Sequence, residues 1–226
     1  MKTTYLLAAR YDRVPGAFWG LPALLVLAPT IVALCCAFSA PARAANRPDP
    51  MQQVKTTVDQ VLQILQDPAL KSDPSQRRQK LKDSVAGYFD WTDMAKSSLG
   101  YHWRDLSDQQ RKDFVDLFTR FIEASYLSKI ESYNGQTIEY LRQSIDGQYA
   151  QVNTDVIQQG KDPIPLNYRL KADDGNWQVY DVTVDNISIT ANYRNQFNRV
   201  INNRGFDALM NDMRAKQESL DQSIAK

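Results

Sequence analysis

The hydrophobic positions of this chain change period twice. Up to about residue 133 they recur at three- and four-residue spacing, as on one face of a helix. From Gln136 to Val184 they alternate with polar residues, as on a strand with one buried side. From Ile189 the helical spacing returns. In the first stretch Val54, Val58, Val61, Leu62 and Leu65 mark an amphipathic helix that Asp67-Pro68 stops. Residues 71–75 read as a loop, Ser75 as the cap of a second helix with Leu81 and Val85 inward, and Gly87 as its end. After Tyr88-Phe89-Asp90-Trp91 comes a short helix through Met94 to Leu99, ended by Gly100. Ser107 with Gln110 forms a capping box for a long helix whose inward stripe is Phe114, Leu117, Phe118, Phe121, Ile122 and Ser125. That helix can run to Tyr133, where Asn134-Gly135 ends it.

The alternating stretch divides into four strands. Residues 137–145 and 149–158 flank Asp146-Gly147, read as a two-residue hairpin turn. In the third strand Ile164, Leu166, Tyr168 and Leu170 alternate with Pro165, Asn167, Arg169 and Lys171. Residues 173–176 turn the chain into the fourth strand. Strict alternation there puts Trp177, Val179, Asp181 and Thr183 on one side and Gln178, Tyr180, Val182 and Val184 on the other. Asp185-Asn186 breaks that strand, and Ser188 can cap a helix bearing Ile189, Tyr193, Phe197, Val200 and Ile201. A last helix carries Phe206, Leu209, Met210 and Met213, and from Gln217 the chain reads as a fraying polar tail. Connections this short make the sheet antiparallel. The predicted fold class is therefore α+β, a four-stranded curved antiparallel sheet covered on one face by N-terminal and C-terminal helices. Between the layers there is room for a filled core or an apolar cavity.

Composition changes this picture mainly at the N-terminus. Lys2, Arg10 and Arg13 precede an uncharged apolar run at 17–38, and Ala42-Arg43-Ala44 fits a small-x-small cleavage site. Residues 1–44 read as a signal peptide cleaved after Ala44, residues 45–216 as a single domain, and 217–226 as the tail. A run of 22 apolar residues is also long enough to anchor in a bilayer; Pro22, Pro29 and the cleavage site favour the signal peptide. The chain has 27 Lys and Arg against 26 Asp and Glu, and the leader holds four of the bases and one of the acids. The remainder, 23 against 25, carries no nucleic-acid footprint. Both cysteines, Cys35 and Cys36, lie in the leader, so the exported domain relies on its core rather than on disulfides.

Candidate chemistry is sparse. The single histidine, His102, lacks a nucleophile elbow and reads as a surface or packing residue. With no cysteine left after cleavage, a zinc site has too few ligands. No phosphate-cradling glycine loop is present. Asp181 stands among Trp177, Val179, Tyr180 and Val182. Facing inward it would be a general base with a raised pKa; otherwise it pairs with Arg169 or Arg194, or meets solvent. Arg194 and Lys129 are either phosphate contacts or surface charges. The aromatics sit on almost every element, which suits either a filled core or a pocket for a bulky apolar ligand.

The order and spacing of several residue groups carry a family resemblance over about residues 51–216. They are Phe89-Asp90-Trp91 with Met94-Ala95; Leu99-Gly100 with Trp103; Gln110, Phe114 and Phe118 in the long helix; and Tyr126 with Tyr133. Above all they are Trp177, Val179, Asp181, Val182, Ser188, Asn192-Tyr193-Arg194, Phe197 and Gly205. On these the chain resembles the MlaC family of periplasmic phospholipid-binding proteins, accessory to lipid-asymmetry and toluene-tolerance ABC transporters. The resemblance implies helices over a sheet like that of nuclear transport factor 2, with acyl chains in the apolar space between and the headgroup outside. It implies lipid shuttling between an outer-membrane lipoprotein complex and an inner-membrane ABC transporter carrying an MCE-domain protein. It implies no cofactor, no metal and no catalytic residue. A related branch is linked to hopanoid handling. The lining positions it suggests are Phe89, Trp91, Leu99, Phe114, Phe118, Phe121, Tyr168, Val182 and Tyr193. The competing reading from another class is a small-molecule enzyme on the same fold with Asp181 as general base.

Overall fold

The computed structural model describes residues 47–224; the predicted signal peptide and its cleavage site lie outside the described residues. Three helices lead, α1 (Pro50–Gln66), α2 (Pro68–Lys71) and α3 (Pro74–Val85). Each begins with proline after an aspartate whose carboxylate accepts a backbone N–H: Asp49 from Gln52, Asp67 from Ala69, Asp73 from Gln76. Proline suits the first helical position, where its missing N–H goes unused. The cap of α3 is thus Asp73 rather than Ser75, and α2 forms one turn just before the predicted loop.

Helix α4 (Trp91–Leu99) is capped by Asp90, which accepts from Asp93 N at 2.8 Å. It stops at Gly100, whose φ of 59° belongs to the left-handed region. A Cβ there would also lie 3.3 Å from the Arg194 side chain. A 3-10 turn (Gly100–Asp105) leads to α5 (Asp108–Glu131). The predicted capping box forms: Gln110 N donates to Ser107 Oγ at 3.2 Å and Ser107 N donates to Gln110 Oε1 at 2.9 Å.

The sheet is an antiparallel meander of five strands: β1 (Thr137–Asp146), β2 (Tyr149–Ile157), β3 (Ile164–Asp173), β4 (Asn176–Val184) and β5 (Ile187–Ser188). The fifth, absent from the predicted four, is a two-residue return beside the end of β4. Asp185 and Asn186 make its tight turn with φ of 49° and 63°, a conformation asparagine and aspartate tolerate. Asp146 pairs with Tyr149, so the first hairpin turns on Gly147-Gln148, one residue later than Asp146-Gly147, with Gly147 at φ 57°. Helices α6 (Ile189–Arg204) and α7 (Phe206–Ile224) follow, and α7 continues well past Gln217.

One irregularity decides which way β4 faces. Arg169 pairs with Asp181, but the next residue of β3, Leu170, pairs with Val179, leaving Tyr180 as a bulge. Strict alternation therefore fails at Tyr180. Trp177 and Val179 point inward, and after the bulge Val182 does too, opposite Tyr168. The inner face carries Ala150, Val152, Thr154, Tyr168, Leu170, Val179 and Val182, all buried. The outer face carries Tyr149, Gln151, Arg169 and Lys171, none of them buried.

Helix α1 is tied across the ends of this sheet. Gln53 both donates to Trp177 O (2.5 Å) and accepts from Trp177 N (3.1 Å). Gln143 on β1 accepts from Met51 N at 2.8 Å and donates to the Asp49 carboxylate. The main core joins the sheet's inner face to α1, α4, α5, α6 and α7. A smaller cluster, Leu65, Leu81 and Leu127, fastens the far end of α1 to α3 and α5.

Candidate functional site

The proposed lining residues fall into separate groups. Residues 114, 118 and 121 are three or four apart on α5, and 193 and 197 are four apart on α6, so each set forms one stripe. The stripes meet ring to ring. Phe114 lies 5.8 Å from Phe118 and 6.0 Å from Phe197; Phe118 lies 6.5 Å and Phe121 5.4 Å from Tyr193; Tyr193 lies 5.4 Å from Phe197. These are separations of direct aromatic packing, several of them edge to face. Leu99 of α4 is fully buried in the same core.

Tyr168 and Val182 belong to the sheet, side by side on β3 and β4. Phe89 and Trp91 form a third group with ring centroids 4.9 Å apart. Phe89 is the middle of a segment stitched along the edge of β4 and Trp91 follows it; Val179 N donates to Tyr88 O and Asp90 N donates to Val179 O, both at 2.9 Å. Phe89, Trp91 and Tyr193 are partly exposed at the margin of the core, and the other six positions are buried within it.

Two residues outside the nine candidates lie close to Tyr168. Tyr140 is paired with Thr154, and Tyr88 enters from beyond the edge of β4. The hydroxyls of Tyr88 and Tyr140 are buried and have no hydrogen-bond partner in the protein. Burial pushes the Tyr140 phenol up to about 12 and raises those of Tyr88 and Tyr168 further. Each is also raised by its neighbours: Tyr88 by Tyr168 and Tyr140, and Tyr168 by Tyr140. The signal available in sequence was Tyr140 two residues after Ile138 in an alternating strand; Tyr88, just before Phe89, offered none.

The charged candidates each make contacts within the protein. Asp181 is 2% exposed and accepts from Ser188 Oγ at 2.7 Å and Thr190 N at 3.1 Å, with an Arg169 nitrogen at 3.9 Å. It lies beside Arg169, on the face opposite Tyr168 and Val182, and fastens β4 to the positive N-terminal end of α6. Both of its oxygens are engaged there, by the start of α6 and by Arg169. Arg194 Nε donates to Ser97 O at 2.6 Å, clamping α6 to α4. The Lys129 ammonium lies over the Tyr126 ring at 5.1 Å, and the His102 ring lies 4.0 Å from that of Tyr101. An open groove of about 500 Å³ runs between α1 and α3. Gln60, Gln63, Asp67, Lys80 and Asp83 line it together with Ile64 and Leu70, and none of the nine proposed lining positions is among its walls. Among the described residues no group of His, Cys, Asp and Glu could hold a metal, and no helix is long and apolar enough to cross a membrane.

The chain is similar to proteins already known. The intermembrane phospholipid transport system binding protein MlaC of Haemophilus influenzae is 26% identical over 160 residues, covering 69% of this chain and 73% of that protein. A solved structure from Ralstonia solanacearum, a phospholipid-binding protein in complex with a phospholipid, matches with a TM-score of 0.70. It is 26% identical, and the match covers 77% of this chain and 99% of that one. The MlaC protein family matches residues 55–215, well over half of the sequence, and the chain therefore belongs to the MlaC family.

Proposed function

We propose that the mature protein is a periplasmic carrier that holds the acyl chains of a phospholipid between the inner sheet face and helices α4, α5 and α6. The observation that carries this reading is the match, over 77% of this chain and 99% of the other, to a structure whose protein is complexed with a phospholipid. The nine lining positions supply the apolar surface such chains need. A chain of about 16 carbons buries roughly 12 kcal/mol of aversion to water, at about 0.8 kcal/mol per methylene. Unassisted transfer between membranes is correspondingly slow. A carrier must offer nearly the same burial, so that loading and unloading stay close to balance. It needs no reacting group.

In this role the protein exchanges lipid with an outer-membrane lipoprotein complex on one side. On the other it meets an inner-membrane ABC transporter bearing an MCE-domain protein. The leader ending at Ala44 delivers the domain to the periplasm. Native mass spectrometry of the mature protein purified from its host, followed by lipid extraction, tests the proposal. The expected result is a co-purifying phospholipid in near-stoichiometric amount. A lipid-free mass that stays unchanged after incubation with liposomes would overturn it.

A further inference from the structure

Two of the tyrosines on the inner sheet face carry a polar demand that the protein does not meet. Tyr88 is 7% exposed, and neither its hydroxyl nor that of Tyr140 has a protein partner. Buried hydroxyls are nearly always hydrogen-bonded, so two orphans electrostatically coupled to each other ask for a common explanation. Their surroundings narrow it. Thr154, in register with Tyr140, already spends its hydroxyl on Leu166 O. Val152 and Val182, the neighbours of Tyr168 on either side, are apolar and buried. The patch is thus a pair of hydroxyl donors set in an apolar floor.

One end of the patch lies at a polar rim. The Lys55 ammonium sits 5.4 Å from the centre of the Tyr140 ring and pairs with Asp59 at 2.8 Å, and both of these α1 side chains are about half exposed. Tyr140 therefore spans from a charged, wet edge to the buried hydroxyls. That sequence of environments, charge then neutral donors then hydrocarbon, is the order met along a glycerolipid: headgroup, ester linkage, acyl chain.

We infer that the hydroxyls of Tyr88 and Tyr140 donate hydrogen bonds to the ester carbonyl oxygens of a bound diacyl lipid and so fix the depth at which its chains begin. The inference rests on the phospholipid-carrier reading and adds to it a site for the linkage region. A carbonyl oxygen only accepts, and a phenol kept neutral by burial is a donor over the whole physiological range. The Lys55 and Asp59 side would face the headgroup.

The test is a competition, read by native mass spectrometry, between vesicles of a diacyl phosphatidylglycerol and of its dialkyl-ether analogue with matched chains. The ether lacks only the carbonyl oxygens. The wild-type protein should prefer the diester by about tenfold per carbonyl engaged. Tyr88→Phe and Tyr140→Phe should each reduce that preference, and the double variant should load both lipids equally. Removing an unpaired hydroxyl leaves the lipid-free fold at least as stable, so these variants remain measurable. Tyr149→Phe on the outer face is the control and should change nothing. Equal loading of ester and ether by the wild type, or an unchanged preference in the double variant, would overturn the inference while leaving the carrier intact. Loading of neither lipid by the wild type would overturn both.

Discussion

The aromatic stack between α5 and α6 and the tyrosine patch on the inner sheet face are both buried, yet they ask opposite things of their surroundings. In the stack, Phe114, Phe118, Phe121, Tyr193 and Phe197 answer one another ring to ring. Little there is left unsatisfied. In the patch, Tyr88 and Tyr140 bring hydroxyls that no protein group meets. Aromatic content alone does not separate a wall from a binding floor. What sets the patch apart is its unsatisfied donors, since leaving a hydroxyl buried costs about 1–3 kcal/mol unless something partners it.

The comparison can be broken by substitution, and the largest effect is expected in the stack. Phe118→Ala removes a fully buried ring that touches three others, and should lower the free energy of unfolding in urea by about 3–5 kcal/mol. A loss below about 1 kcal/mol would mean that the helices close over the gap and that the stack is not the rigid half. Next is the strut joining the two regions. Asp181→Ala strips the Ser188 hydroxyl and the Thr190 amide of their acceptor and should cost about 2–4 kcal/mol. Asp181→Asn should keep bound lipid, because the carboxylate points away from the lining; loss of lipid without loss of stability would revive a direct role.

Val182→Trp enlarges the floor beside Tyr168 and should cost about 1–3 kcal/mol through overpacking, while sharply lowering the lipid recovered with the protein. Lipid retained at the wild-type ratio would remove Val182 from the lining.

The smallest effect is nil at neutral pH and appears only in alkali. The folded Tyr140 phenol titrates at about 12 rather than near 10, because of burial and the nearby Asp59. Its neutral form is favoured by folding. The stability it contributes is therefore fully present below about pH 10 and lost as pH rises through about 12. Tyrosinate absorbance during alkaline titration should show a late phase that coincides with unfolding and shrinks in Tyr140→Phe. A Tyr140 titrating at its ordinary pH in the folded protein would put its hydroxyl in water and dissolve the patch.

Much of this fold could be read locally. The Ser107 and Gln110 box, the stop at Gly100 and the Ser188 cap of α6 all form where the residues announce them. So do the meander and the helices on one of its faces, because periods of 3.6 and 2 are written directly in the apolar positions. The cap of α3 went to Asp73 because Pro74 prefers the first helical position, a competition between two adjacent cues. Of the candidate site, the aromatic stripes of α5 and α6 were legible as stripes. Their contact was not, since spacing on one helix says nothing about which partner it meets.

What the sequence determined on its own was most of the elements and, outside β4, their apolar faces, since those depend on neighbours within a few residues. What only the tertiary structure decided lies in β4. One extra residue at Tyr180, set by pairing with β3, reverses the strand's faces beyond it, turning Asp181 outward and Val182 inward. The convergence of Tyr88, Tyr140 and Tyr168 likewise brings together residues up to 80 positions apart in the chain. Register and convergence are properties of pairs of segments, and a one-residue slip changes every side chain's face. No local pattern in one segment encodes them.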